Sequence, residues 1–395
     1  MITRAIDFAL VILIARVLGP ADMGHLSVIN SVLALVLILA AFGLPQAVTK
    51  YVAETGDARV QSAVFRSSLK GALLLSVVSV LLLLFVLHLT HLIKDSVAVL
   101  YLRLLAFVIP LLTFLDLALH YLWGRAEMKR KAALDVAIKF GYAAFVLAFI
   151  FPLKLRGVVL AKVANPVVWT IVLLFVVARR LERPAGDVDS RRLYRFGAFT
   201  SLAELASSLI RNFDILTLSY FLADAASIGM YRVAALLAIN LDIAFEAVVH
   251  TYYPDISRLT NDRAAMRRLF WKLVAWAILI MIPVSFLAFM FAPVVLKVLF
   301  GASYAGAVGA FRILVFVPLI YAVLRVFGNT FSGTGRPDIS FAIVLFAGAS
   351  NLALNLILVP RLGILGAAVA LVCTHLLNLL VSSAVMYFYL FRGER

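Results

Sequence analysis

Apolar residues in this chain do not alternate with polar ones; they run together. Stretches 26–41, 73–87 and 371–390 are apolar almost without interruption, and they reach or approach the roughly 20 residues that cross a bilayer core. A soluble all-helical protein needs a polar face at a 3.6-residue period, and several of these runs have none. Between the polar breaks the pattern predicts six spans in the first half, over 1–18, 26–50, 68–90, 97–122, 132–151 and 157–178. The second half gives six more, over 196–222, 228–252, 269–299, 308–331, 338–359 and 363–391. The expected fold is all-α: a polytopic membrane protein with two six-helix bundles, 1–178 and 196–395. A hydrophilic cytoplasmic linker, 179–195, joins them, and its Pro184-Ala185-Gly186 disfavours a helix.

The two halves carry similar text. Residues 103–112 read RLLAFVIPLL and 312–320 read RILVFVPLI. Pairing Arg103 with Arg312, Leu105 with Leu314, Phe107 with Phe316 and Val108 with Val317 gives an offset of 209. Pro45 with Pro254 and Gly124 with Gly333 keep that offset, while Pro110 with Pro318 and Pro152 with Pro360 fall at 208. Chance apolar matches are cheap in such a chain, so the weight rests on the Arg, Pro and Gly positions. Six helices per copy is an even number, so both copies enter the membrane from the same side. The repeats are then parallel, related by an axis along the membrane normal. Prolines 110, 166, 283, 293 and 318 fall inside expected spans, where each removes a backbone bond and favours a kink. The pairing of Pro110 with Pro318 predicts a shared bend.

Composition agrees: 64% of residues are hydrophobic and 14% charged, against about 45–50% and about 25% in soluble proteins. The net charge of +16 raises the question of nucleic acid, but the placement of the basic residues answers it. They cluster at 50–70, 125–131, 179–195 and 258–272, and alternate loops are nearly free of them. That is the positive-inside pattern; it places these loops and both termini in the cytoplasm and excludes a nucleic-acid partner. A secondary attraction to anionic lipid headgroups fits the same residues. The single cysteine, Cys373, excludes an intrachain disulfide. The first span has no small-residue cleavage site, so no cleavable signal is expected. It is short, and Arg4, Asp7 and Arg16 lie in it. Either a longer natural N-terminus precedes it or it lines a wet cavity.

Several loop-and-turn segments carry a family resemblance. ARVLGPADMGHLSV (15–28) and GLPQAVTKYVAE (43–54) resemble the flanks of the second helix in polysaccharide and oligosaccharide-lipid flippases. RNFDILTLSYFLADAASIGMYRVA (211–234), YYPDISRL (252–259), LFGASYAGA (299–307), SGTGRPDIS (332–340) and NLALNLILVPRLGILGAAVA (351–370) resemble later landmarks in family order. Together they resemble the polysaccharide-synthesis branch of the multidrug/oligosaccharidyl-lipid/polysaccharide exporter superfamily. The resemblance implies twelve to fourteen helices in two bundles forming a V around a central cavity. The substrate class it implies is a polyprenyl-diphosphate-linked glycan; no cofactor is expected.

Charges inside spans are costly, about 2.5–3.5 kcal/mol at a helix centre, and so tend to face the bundle interior. Arg211 and Asp214 lie three apart in span seven, either a self-neutralising pair or a cavity lining. Asp242, Glu246 and His250 step by four along span eight and share one face. Arg325 has no acidic residue three or four positions away. Asp135 and Lys139 are spaced to pair, and Lys162 is placed to snorkel. Arg binds phosphate bidentately, so Arg4, Arg16, Arg211, Arg232 and Arg325 are the candidate cationic cavity for the diphosphate. Asp214, Asp242 and Glu246 are the candidate ion-coupling groups, for a proton or a sodium ion.

The expected function is therefore a plasma-membrane flippase working by alternating access. A drug or small-cation exporter of the same superfamily is the first alternative; such a site favours acidic and aromatic residues over Arg. A membrane glycosyltransferase or ligase is the second, resting on Asp187-Val188-Asp189 alone. No sugar-nucleotide domain accompanies that motif and no phosphate-binding loop GxxxxGK[ST] occurs, so no enzyme is expected. A partner role in a glycan-assembly complex is compatible with either transport reading.

Overall fold

The computed structural model describes residues 2–89, 93–184, 189–222, 224–259, 262–333 and 337–391, and every regular element among them is helical. α1 (Ile2–Ala41) is two membrane segments run together, broken at Gly19 (φ 76°, ψ 177°) just before Pro20. Phe42 and Gly43 both take positive φ, and α2 (Leu44–Ala53) then continues the second span with Pro45 in its first turn. α3 (Ala58–Leu89) follows. α4 (Ser96–Ala106) and α5 (Ile109–Gly124) form one span bent by 58°. α6 (Met128–Leu153) and α7 (Leu155–Ala178) are separated by Lys154 alone.

The second half opens with α8 (Ser190–Phe221), then α9 (Ala225–Asn240) and α10 (Ile243–Arg258), separated by Leu241 and Asp242. α11 (Arg263–Met290) and α12 (Ala292–Phe300) are separated by Phe291 alone. A short 3-10 turn, Ala302–Ala307, leads to α13 (Val308–Leu314) and α14 (Phe316–Gly333). α15 (Pro337–Phe391) holds the last two spans, broken at Gly363. Seven helices among the described residues are long and apolar enough to cross a bilayer, or eight with the bent α4–α5 pair. Splitting α1 and α15 at their glycines, and adding the more polar α8 and the short α9–α10, returns the twelve expected segments.

The packing is that of a membrane protein. On α3 the interior face is small and polar: Ser62, Ser68, Gly71, Ala72, Ser76 and Ser79 are buried. Their hydroxyls are satisfied locally, as Ser62 donates to the Ala58 carbonyl and Ser68 to that of Val64, both at 2.8 Å. Leu74, Leu81 and Phe85 on the same helix are 61–66% exposed. Small residues inside and large apolar ones outside is the arrangement lipid selects, because helices then approach closely while the outer face loses nothing.

Two compact units emerge: residues 1–18 with 25–208, and 19–24 with 209–395. The expected division at 179–195 differs from this, because the first half of α8 belongs to the first unit. Leu193 enters the core built on Leu44, Phe65, Phe114 and Tyr121. Thr200 Oγ1 donates to the Gly43 carbonyl at 3.4 Å and Ser201 Oγ to that of Ile38 at 3.3 Å. The second unit has its own core around Phe245, Phe270, Met281, Phe327 and Phe331.

The internal repeat is clear in the backbone. Lys154 (φ 48°, ψ −123°) and Gly363 (φ 57°, ψ −131°) sit at an offset of 209 in the same rare conformation. A Cβ on Gly157 would lie 2.1 Å from the Phe149 carbonyl oxygen, and one on Gly366 2.3 Å from that of Leu358. Both partners of that contact keep the 209 offset, so the hairpin is duplicated while its prolines, 152 and 360, have slipped by one residue. Pro110 and Pro318 begin α5 and α14 and mark a shared break; Gly124 and Gly333 end those helices. Pro45 and Pro254 are not equivalent. The first opens α2, the second lies deep in α10. Pro166 and Pro283 stay within continuous helices, and Pro293 starts α12.

Within the second unit, residues 19–24 meet the start of α9 reciprocally. A Cβ on Gly24 would fall 1.8 Å from the Ala225 carbonyl oxygen, and one on Gly229 1.9 Å from that of Pro20. Only glycine permits that approach on either side.

Candidate functional site

Asp214, on α8, is only 5% exposed, as deeply buried as Asp242. Tyr231 Oη of α9 donates to its Oδ2 at 2.6 Å, and Asn355 Nδ2 of α15 to its Oδ1 at 2.7 Å. Asn355 also reaches the Asn351 carbonyl at 3.0 Å and its Oδ1 at 3.1 Å. Asn351 Nδ2 donates to Thr374 Oγ1 at 3.4 Å across the Gly363 break. Tyr231, Asn351, Asn355 and Thr374 are all at most 1% exposed. The carboxylate is thus held by neutral donors rather than by Arg211, which is exposed on its helix. Asn355 Oδ1 is buried without a hydrogen-bond partner. A buried oxygen cluster with one negative charge and an unsatisfied acceptor has the chemistry to hold a proton or a small hard cation.

A second cluster gathers where α9 gives way to α10. Asp242 is the residue before α10, in the short break that follows α9. Arg325 of α14 hydrogen-bonds Asp242 Oδ2, and its Nη1 lies 3.5 Å from Glu246 Oε1. The guanidinium also sits over the Tyr321 ring at 5.1 Å, and Tyr321 meets His375 edge-on at 5.6 Å. Arg325, expected to stand as a cavity cation, is instead committed to two carboxylates. No acidic residue lies near it on its own helix, and its partners come from 83 and 79 positions earlier. The cluster thus sets two carboxylates around one guanidinium. Asp242 Oδ1 and Arg325 Nε are buried and unpartnered.

Among the remaining candidates, Arg16 is exposed and Arg232 partly buried. The side chains of Arg4 and His250, and the Asp187-Val188 pair, lie outside the described residues. The expected pairing of Asp135 with Lys139 is replaced. Asp7 takes both carboxylate contacts from Lys139 Nζ at 2.8 Å, and Asp135 pairs with Lys131 at 2.6 Å. Both arise because α6 lays Lys139 against α1, leaving the i−4 lysine for Asp135. His120 Nδ1 meets Thr49 Oγ1 at 2.8 Å, with Asp116 3.7 Å from its Nε2. Lys162 does not snorkel outward; it lines a cavity inside the first unit.

Outside the spans, charge caps helices. Asp95 precedes α4, accepting from the Ala98 N–H at 3.0 Å and meeting His25 at 2.6 Å. Burial pushes its carboxyl up, but His25 and the Ala98 N–H outweigh that and hold it below its ordinary value. Asp224 caps α9 in the same way, held low first by the Ser227 hydroxyl at 2.6 Å.

Asn351, Asn355, Tyr231 and Thr374 escaped the sequence reading because none carries charge. The available signal was the asparagine pair, four apart and so on one face of an apolar span.

Two duplicated helical units with polar clusters buried in their spans define a polytopic membrane transporter fold. Superposition agrees: a multidrug resistance MATE transporter of the MOP superfamily, inward-facing, matches with a TM-score of 0.76 at 16% identity, covering 100% of this chain and 96% of that one. The lipid II flippase MurJ, in an inward closed conformation, matches at 0.76 with 13% identity, covering 98% and 87%. The chain belongs to the polysaccharide biosynthesis protein family, whose model matches residues 1–260. It is 23% identical over 368 residues to Agl15 of Haloferax volcanii, a probable low-salt glycan biosynthesis flippase, covering 92% of this chain and 76% of that protein.

Proposed function

We propose that this protein flips a lipid-linked oligosaccharide or polysaccharide precursor across the membrane by alternating access, driven by a proton or sodium ion at Asp214. Family membership across residues 1–260 carries the substrate class, and the likeness to Agl15 over nearly the whole chain supports it. The buried Asp214–Asn355–Asn351–Thr374 cluster supports ion coupling, since an ion moves a conformational equilibrium only through its differential affinity for the two states. Arg4, Arg16, Arg211 and Arg232 are the phosphate-binding candidates; Arg325, held by Asp242 and Glu246, is assigned a positioning role. The basic loops and both termini face the cytoplasm.

The test is flipping of a fluorescent polyprenyl-diphosphate oligosaccharide in proteoliposomes under imposed proton or sodium gradients. Wild type should respond to one gradient, and Asp214→Asn should lose that response while remaining folded. Transport of drugs but of no lipid-linked glycan would favour the exporter reading, which the MATE-like fold supports. Turnover of sugar nucleotides by purified protein would refute a transporter-only role.

A further inference from the structure

The first unit contains a cavity of about 310 Å³ between α1, α4, α5, α6 and α7. Its lining is largely apolar, with Leu33, Leu105 and Leu112. The polar part of the lining is Lys162, Asn165, Asn30 and Tyr142. Lys162 makes no hydrogen bond or ion pair among the described residues; its ammonium lies 5.8 Å from the Tyr142 ring centroid. The neighbouring lysine on α6, Lys139, is neutralised by Asp7, so the cavity retains the Lys162 charge. Asn165 is 7% exposed, and its Oδ1 is buried without a hydrogen-bond partner. A cation and an unsatisfied amide in a largely apolar cavity are poorly placed for stability alone, because an unpaired buried polar group costs free energy.

We infer that this cavity is a binding site for a phosphate ester carried on an apolar chain. The phosphate would take Lys162, a hydroxyl or protonated oxygen would donate to Asn165 Oδ1, and the first carbons of the chain would lie against Leu33, Leu105 and Leu112. The volume stands at the small end of the roughly 300–1,000 Å³ range of ligand pockets. It therefore takes a headgroup and a short length of chain, not a glycan. Two sources supply this chemistry: an isoprenoid phosphate and an acyl phospholipid. Identifying the occupant with the transported lipid rests on the flippase reading; the site itself does not.

Purified protein in detergent is titrated with farnesyl phosphate and the adducts counted by native mass spectrometry, with farnesol, inorganic phosphate and dioleoyl phosphatidic acid as competitors. One saturable ligand per chain is expected. Lys162→Gln should weaken it about ten- to a hundred-fold, the worth of a charged hydrogen bond, and Lys162→Arg should retain it. Ala34→Phe, which fills the cavity and leaves the charge, should lose it. Farnesol and inorganic phosphate should compete poorly, because each supplies half of the ligand. Phosphatidic acid competing on a par with farnesyl phosphate supports the site and assigns it to bulk lipid; its failure assigns it to isoprenoid. Unchanged affinity in both Lys162→Gln and Ala34→Phe overturns the inference, as does inorganic phosphate competing as well as farnesyl phosphate. Binding is scored without translocation. A protein that flips but does not bind sinks this site alone, and one that binds but does not flip sinks the flippase reading alone.

Discussion

Replacing Arg325 with methionine keeps much of the apolar stem and removes the guanidinium that faces Asp242 and Glu246. The side chains of Asp242, Glu246 and Arg325 are 6%, 18% and 19% exposed. At the 3.5 Å separation of Arg325 and Glu246, an effective dielectric of about 20 gives ~5 kcal/mol of attraction per pair. Desolvation offsets most of that, so the intact cluster contributes little net stability. Breaking it is another matter, because Asp242 is left buried without compensation, at a cost of about 3–5 kcal/mol. The double substitution Arg325→Met with Asp242→Leu removes both the charge and its partner and should recover most of the loss. The measurement is reversible unfolding in mixed dodecylmaltoside–SDS micelles, followed by tryptophan fluorescence, for wild type, both single variants and the double. A coupling energy of at least about 2 kcal/mol is expected for contacting residues in one network. A coupling within about 0.5 kcal/mol of zero, or a double variant as unstable as Arg325→Met, would refute the reasoning.

Three further outcomes follow from the geometry. Lys154→Gly should stabilise the protein by about 1 kcal/mol, because a left-handed conformation costs a lysine ~1–3 kcal/mol and glycine gives back part of this through unfolded-state entropy. Gly363→Ala should destabilise it, and the same unfolding assay reads both. Gly24→Ala and Gly229→Ala each drive a methyl into a backbone carbonyl and should cost about 1–3 kcal/mol, whereas Gly328→Ala, with open space around it, should be neutral or stabilising. The Asp224 carboxyl has its folded pKa depressed, so its cap contributes fully above the unfolded value of about 3.9 and fades as pH falls through the folded one. Asp224→Asn should therefore differ from wild type in melting temperature at pH 6, and the difference should shrink as pH falls below the unfolded value of about 3.9; a difference that does not change with pH would remove the charge from the explanation.

The membrane fold was legible because length and apolarity alone decide a span: runs such as 73–87 admit no other solvent. The repeat was legible through Arg103/Arg312 and Gly124/Gly333, but prolines proved poorer markers than the turn itself. A proline can shift by one residue within a helix end; a left-handed residue with a glycine three positions on cannot, since a carbonyl fills the space a side chain would need. The site was half legible. Asp214, Asp242, Glu246 and Arg325 stood out because charge in an apolar span is rare. Their partners did not, since sequence spacing reports neighbours on one helix only. Arg325 meets Asp242 across 83 residues, and Asp214 meets Asn355 across 141. Lys162 read as a snorkelling lysine because its distance from the span end was all the sequence offered; the cavity that receives it is a product of packing.

The contact boundary inside α8 changes what the hydrophilic stretch 179–195 connects. It joins α7 to the first half of α8, two elements of one unit, so the last of the chain's three passages between the units is an unbroken stretch of helix at Ser208–Leu209. Cutting the chain in the polar segment would not yield two self-contained halves. The downstream fragment would carry away Leu193, Thr200 and Ser201, and with them a wall of its neighbour's core. Such fragments should need to be made together in one membrane to fold, and either one expressed alone should be cleared as an incomplete protein.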